Sequence, residues 1–260
     1  MEVDVYKLDG SVEGKVTLPS VFEREFREDL IRRAILSDQS FEHQPQGHYI
    51  LAGMQTTAVY VGKYTGYRRG RHMGMAIRPR QKLGGGAMGD VRRIPSSVKG
   101  RRAHPHRPEK NIFEQINKKE YDAAIASAIA GSSNKELVHQ KHVSKMSLPI
   151  VIDDNLESVA KTKNLLNTFK SLGLLDDVEK SHKPRLRIGM RRVSNKRRFR
   201  SSVLIIAKNA ENIIKAGRNI PGVDVCSVDD MKIEKLAPGA KPRLIVWTKS
   251  ALGSVGEKLR

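Results

Sequence analysis

The sequence predicts an α/β fold: a mainly parallel central sheet flanked by helices, interrupted by a long, extended basic loop. Three observations carry this reading. After residue 200, short apolar runs alternate with helical stretches, as "SVLIIAK", "AENIIKAG", "VDVCSV", "DDMKIEKLA", "RLIVWT" and a final helix. Those runs are almost continuously apolar, which suits parallel strands covered on both faces, a Rossmann-like layering. From Phe41 to Lys110, by contrast, neither a 3.6 nor a 2 period persists, and so long a structureless stretch is either functional or disordered.

Residues 2–7 alternate apolar and polar and read as a strand, which residues 14–18 can pair with across an Asp9-Gly10 turn. Ser20-x-x-Glu23 has the form of a capping box, opening a helix with Phe22, Phe26, Leu30 and Ala34 on one face and fading near residue 38. "TAVYVG" is a short strand or merely extended chain. A helix is expected from Asn117 to Gly131, and another from Asn134 to about Lys141. "LPIVIDD" carries a buried-strand signal, and "LESVAKTKNLLNTFKSLG" is helical in pattern. Residues 1–40 and 111–260 are therefore expected to form one globular α/β domain, with 41–110 inserted in it as an extended basic loop.

Charge distribution supplies the functional clue. The chain carries a formal net charge of +20 and a single cysteine, which excludes an internal disulfide or a multi-cysteine zinc site. Lys63, Arg68, Arg69, Arg71, Arg78, Arg80, Lys82, Arg92, Arg93, Lys99, Arg101, Arg102, Arg107 and Lys110 face only two acids in their segment, for a net +12. Between Lys183 and Arg200 there are nine bases and no acid, including Arg185, Arg187, Arg191, Arg192, Lys196, Arg197, Arg198 and Arg200. The remainder is close to neutral. A near-neutral domain with two dense basic segments is what a polyanion-binding protein requires, and nucleic acid is the expected partner. His104 and His106, flanking Pro105, are suited to stacking on bases or bonding to phosphate, and His104 joins the expected RNA-binding residues. The N-terminus has acids where a secretory leader carries bases, and the apolar runs are too short to span a bilayer. A cytoplasmic protein with no membrane partner is expected.

Gly84-x-Gly86-x-x-Gly89 fits the dinucleotide pattern G-x-G-x-x-G. Such a loop must follow a buried strand and open a helix, so that backbone N–H groups face the pyrophosphate. Here "RPRQKL" precedes it and "DVRRIP" follows, so neither flank qualifies and no cofactor is expected. The glycines are instead expected to let the backbone turn sharply and lie close to RNA.

"SVKGRRAHPHRPEK" (97–110), "RNIPGVDV" (218–225), "RLIVWTKSAL" (243–252) and the N-terminal "YKLDGSVEGKVTLPSVFE" resemble, in the same order, the large-subunit ribosomal protein four family of archaeal and eukaryotic type. The resemblance spans nearly the whole chain. It implies a globular domain on the outside of the large subunit and a long loop running through ribosomal RNA to line the nascent-peptide exit tunnel. Partners would be large-subunit ribosomal RNA, neighbouring ribosomal proteins and the nascent polypeptide. The tunnel-facing residues it implies are Tyr67, Arg68, Arg69, Arg71, His72 and Met73. Tyr64-Thr65-Gly66-Tyr67 stands where many members begin the loop with Gly-Thr-Gly-Arg.

Other constellations are weaker. Asp153-Asp154 and Asp229-Asp230 follow strands, where carboxylates serve either acid–base chemistry or helix capping. Glu136, His139 and His142 share a helical spacing that allows metal ligation or simple solvation. Cys226 and Trp247 lie in apolar strands as core residues. The expected protein is thus a non-enzymatic ribosomal component without catalytic, metal or cofactor residues. The alternative is a nucleotide-dependent RNA-modifying enzyme, which would need a glycine-rich strand-to-helix turn.

Overall fold

The computed structural model describes residues 2–60, 76–183, 185–186 and 197–259. In chain order its elements are β1 (Glu2–Tyr6), β2 (Val12–Thr17), α1 (Glu28–Phe41), β3 (Arg80–Lys82), β4 (Met88–Val91), α2 (Lys118–Ser133), α3 (Lys135–His139), β5 (Ile150–Ile152), α4 (Thr162–Ser171), α5 (Leu175–His182), β6 (Arg185–Leu186), β7 (Arg197–Arg198), β8 (Leu204–Ala207), α6 (Glu211–Gly217), β9 (Asp224–Ser227), α7 (Ile233–Leu236), β10 (Ile245–Thr248) and α8 (Lys249–Lys258). The chain divides into two compact units, one of residues 1–42 with 113–260 and one of residues 43–112.

The first unit is α/β, with a six-stranded sheet in the order β2-β1-β5-β10-β8-β9. Only the β1–β2 pair is antiparallel, turned by Gly10 at φ 81°; the other pairings are parallel. Side chains alternate across the strands, as the two-residue period demands. Val151, Leu204, Ile206, Ile245 and Trp247 pack on one face with α1, α2, α7 and α8. Ile150, Ile152, Ile205, Ala207 and Val246 pack on the other with α4, α5 and α6. Both faces are buried, which is why these strands read as continuous apolar runs.

The helices follow their patterns with local corrections. Ser20–Glu23 is a separate 3-10 turn without a side-chain cap, and α1 begins only at Glu28, burying Ile31, Ala34 and Ile35. Phe22 belongs to that turn and meets the Trp247 ring edge-on at 5.6 Å. In α2 the whole run from Ala124 to Ser132 is buried, so alanine, serine and glycine let it pass between neighbours. A Cβ on Gly131 would sit 2.5 Å from the Phe26 ring. The stretch expected as one helix after β5 is split into a 3-10 turn (Asp154–Ser158) and α4. α5 forms where no separate helix was expected, because its charged residues hide a single buried stripe of Asp177, Val178 and Ser181.

Candidate nucleic-acid interface

Residues 43–112 have almost no interior. Among their described residues Ala58 alone is buried. Backbone geometry holds the segment instead. β3 and β4 form an antiparallel hairpin, and Val59 bridges to Arg80 through two backbone hydrogen bonds of 2.9 and 3.0 Å. Strands of three and four residues cut by glycine leave no alternating apolar pattern, which explains why the sequence shows no strand period here. The hairpin turn is Gly84–Gly86, with φ of 70° at Gly85 and 80° at Gly86. Two of the three glycines are therefore required by backbone conformation. No atom lies within 4 Å of a Cβ built on any of them, so the tip faces open space. The G-x-G-x-x-G pattern is a strand-to-strand turn and lacks the strand-to-helix geometry of a dinucleotide loop.

"IPSSVKG" is a second tight turn. Ser97 donates through both N–H and Oγ to the Ile94 carbonyl, and the Gly100 N–H donates to Ser97. Arg93 and Lys99 hold positive φ of 73° and 61°. A Cβ on Gly100 would stand 1.9 Å from the Ile94 carbonyl oxygen, so the turn closes only on glycine. Arg92 is committed within this turn: it donates to the Val98 carbonyl at 2.8 Å and pairs with Asp90 at 3.1 Å, its side chain only 15% exposed. The other described bases of the unit are free of that constraint. Arg78, Lys82, Arg93, Lys99, Arg101, Arg102, His104, Arg107 and Lys110 are exposed, and Arg80 is half-buried. Arg78, Arg92 and Lys99 line a shallow pocket of about 450 Å³.

In the second basic segment, Arg185 stands opposite Arg198, and Leu186 opposite Arg197, in the two-residue ladder of β6 and β7. Arg200 follows the ladder and is half-buried. Lys63, Tyr67, Arg68, Arg69, Arg71, His72, Met73, Arg187, Arg191, Arg192 and Lys196 lie outside the described residues.

The place where an α/β sheet would hold a nucleotide is filled. β8 and β10 are neighbours, yet α6 and α8, which follow them, pack on opposite faces, so their carboxyl ends form a switch-point crevice. The Glu157 carboxylate occupies it. It accepts hydrogen bonds from the Lys208 N–H (2.8 Å), the Asn209 N–H (3.1 Å), Thr248 Oγ1 (2.9 Å) and Ser250 Oγ (3.0 Å). Asp154 accepts from the Ser250 N–H at 2.8 Å, and Asp153 caps the turn that carries Glu157. The donors that would cradle a phosphate thus already hold this chain's own carboxylates. Asp229 pairs with Lys258, and Asp230 accepts from Ser227, so the second acidic pair is structural as well.

The motifs "RNIPGVDV" and "RLIVWT" converge on Arg243, which is 1% exposed. It donates to Asp224 (2.6 Å) and to the carbonyls of Gly222 (2.6 Å), Ser202 (2.5 Å), Val203 (3.3 Å) and Lys235 (3.3 Å). All five guanidinium N–H groups are used to tie β8, β9 and β10 together. Gly222 has φ 80°, and a Cβ there would lie 2.3 Å from the Arg200 carbonyl oxygen. Nothing in the sequence marks Arg243 or Glu157 as different from surface charges; only the packing does.

His142 is separated from the expected Glu136–His139 face. It is buried and pairs through Nδ1 with Asp177 at 2.9 Å, and Asp177 also accepts from Ser202 Oγ and the Val143 N–H. No group of three or more His, Cys, Asp or Glu able to hold a metal ion occurs among the described residues. Cys226 is buried in β9, and burial pushes its thiol up to about 11. No described helix is long and apolar enough to cross a membrane.

A family profile described as the ribosomal protein L4/L1 family matches residues 16–258. The chain is 41% identical over 263 residues to the large ribosomal subunit protein uL4 of Archaeoglobus fulgidus, with 100% of both chains covered. It is 42% identical over 265 residues to the uL4 of Methanococcus aeolicus, covering 99% of this chain and 100% of the relative. With the uL4 of Methanocaldococcus jannaschii it shares 39% identity over 263 residues, covering 99% of each.

Proposed function

The chain belongs to the ribosomal protein L4/L1 family, and from that membership we infer that it is a structural, non-enzymatic constituent of the large ribosomal subunit. It binds large-subunit ribosomal RNA through two elements, the basic arm 41–110 inserted in the α/β domain formed by 1–40 and 111–260, and the segment 183–200. The observation that carries this reading is the contrast within residues 43–112: a net +12, exposed cations and one buried residue among those described. A segment with so little apolar burial gains too little to offset the entropy of ordering, and phosphate neutralisation supplies what a core does not.

The family resemblance extends the proposal. The arm reaches the nascent-peptide exit tunnel, with Tyr67, Arg68, Arg69, Arg71, His72 and Met73 at its wall, and neighbouring ribosomal proteins pack on the globular unit. The protein then resides in the cytoplasm on ribosomes, apart from membranes. The enzyme alternative is disfavoured by Glu157, which fills the crevice a nucleotide would need.

Residue-level RNA crosslinking of large subunits carrying this chain tests the proposal. Crosslinks are expected along 63–110 and 183–200, and the protein should stay with the subunit through a high-salt wash. Crosslinks confined to the helices of the globular unit, or release at moderate salt, would refute the two-segment reading.

A further inference from the structure

A second cationic site lies on the α/β unit, away from the switch-point crevice. Its pocket, of about 330 Å³, is lined by Gln140, Lys141, His142, Arg200, Ser201 and Pro238. Three separate stretches build it: the residues after α3, the approach to β8, and the loop between α7 and β10. That volume corresponds to about ten waters at 30 Å³ each, enough for a phosphodiester with part of its ribose.

The lining is suited to an anion. Lys141 is half-buried and donates to the Pro238 carbonyl at 2.6 Å, which fixes its ammonium at the pocket. Lys241, beside the lining, donates to the lining residue Gln140 at 3.2 Å. Burial, then the nearby charges of Lys241 and Arg200, hold the Lys141 ammonium below its ordinary range, so the three cations repel across a small space. An anion between them would relieve that repulsion.

The second observation is His142. Its ring is 1% exposed, its Nδ1 is taken by Asp177, and its Nε2 is buried without a partner among the described residues. A buried polar atom left unpaired is costly, and ordinarily a ligand or another group satisfies it. With Nδ1 taken by Asp177, Nε2 is the ring nitrogen of this lining residue left for a ligand. With Asp177 on one side and an anion on the other, both ring nitrogens would have a partner.

We propose that this pocket is a binding site for a backbone phosphate of RNA, held by Lys141, Arg200, Lys241 and His142 Nε2. RNA is favoured over a protein carboxylate because Arg200, in the pocket lining, ends the acid-free segment that starts at Lys183. The assignment rests on the RNA-binding reading above.

The test uses the full chain labelled with carbon-13 at histidine, the His142 signal being assigned by its loss in His142→Asn. A twelve-nucleotide oligouridylate and inorganic phosphate are titrated separately. The oligonucleotide is expected to shift the His142 signal saturably. Arg200→Ala with Lys241→Ala should abolish that shift and lower the log–log salt slope of RNA binding by about 0.7, for the one phosphate no longer neutralised. Fluorescence of the single, buried Trp247 checks that each variant is folded. RNA binding with a silent His142 overturns the pocket while leaving the two-segment reading intact. A response to inorganic phosphate but not to the oligonucleotide overturns the RNA assignment in favour of a free anion. Absence of RNA binding altogether overturns both readings.

Discussion

Arg243 is a base in a strongly basic protein, yet its burial assigns it to the fold and not to RNA. Replacing it with methionine keeps an unbranched apolar stem and removes all five donors. Breaking a buried ion pair by removing one partner costs about 3–5 kcal/mol. The low end applies here, for two reasons. Asp224 is 51% exposed and can be rehydrated. The carbonyls of Gly222 and Val203 each keep a second hydrogen bond, from the Ser202 and Asp224 N–H groups. About 3 kcal/mol is therefore expected, a large part of the 5–15 kcal/mol typical of a domain. Arg243→Lys keeps the charge but offers three donors in place of five, and about 2 kcal/mol is expected. In urea, with a slope of about 2 kcal/mol per molar, the midpoints should fall by about 1.5 M and 1 M respectively. Trp247, in β10 and fully buried, reports the transition without a label. The salt slope of RNA binding should not change in either variant, because Arg243 faces no solvent. A midpoint shift under about 0.5 M for Arg243→Met would refute the clamp, and a reduced salt slope would place Arg243 in the interface.

Three further outcomes are expected. Gly100→Ala places a methyl against the Ile94 carbonyl and should weaken RNA binding about tenfold, equivalent to 1.4 kcal/mol, while the Trp247 urea transition stays unchanged; filter binding and fluorescence on the same sample decide it. Glu157→Ala strips two backbone N–H groups and two hydroxyls of their acceptor, and should destabilise the α/β unit by about 2–4 kcal/mol in urea; an unaltered midpoint would show that water replaces the carboxylate freely. Burial opposes ionisation of Asp177, but hydrogen bonds from His142, Ser202 and Val143 outweigh it and hold the carboxyl below its ordinary value. Its folded pKa is thus lower than its unfolded one, so its contribution is complete above about pH 3.9 and is lost as pH falls towards the folded value. Asp177→Asn should accordingly cost more stability at pH 6 than at pH 3, and equal costs at both would contradict the assignment.

Much of the α/β unit was legible because its signals are local or periodic. Continuous apolar runs announced β5, β8 and β10, the alternating "VDVCSV" announced β9, and the Asp9-Gly10 turn announced the β1–β2 pair. The charge bias of 63–110 and 183–200 was equally plain, since counting requires no geometry. Signals failed where they were short or shared. Ser20-x-x-Glu23 satisfied the capping pattern but closes a 3-10 turn, because only a few residues separate it from the real start of α1 at Glu28. The β3–β4 hairpin is too short to show a period, and its glycines imitate a motif whose meaning lies entirely in the flanking elements.

Composition and pattern by themselves determined that this is an α/β protein with two basic segments and no glycine-rich strand-to-helix turn, because strand burial and net charge are properties of neighbours in sequence. Which charges are free was decided only by the tertiary structure. Arg243, Glu157 and Asp177 look in sequence like any surface charge, and each is committed to partners brought from elsewhere in its own unit. The physical reason is range: a hydrogen bond or an ion pair is made across a few ångströms of space between residues far apart in sequence, 91 positions for Glu157 and Thr248, and no short window along the chain contains both partners.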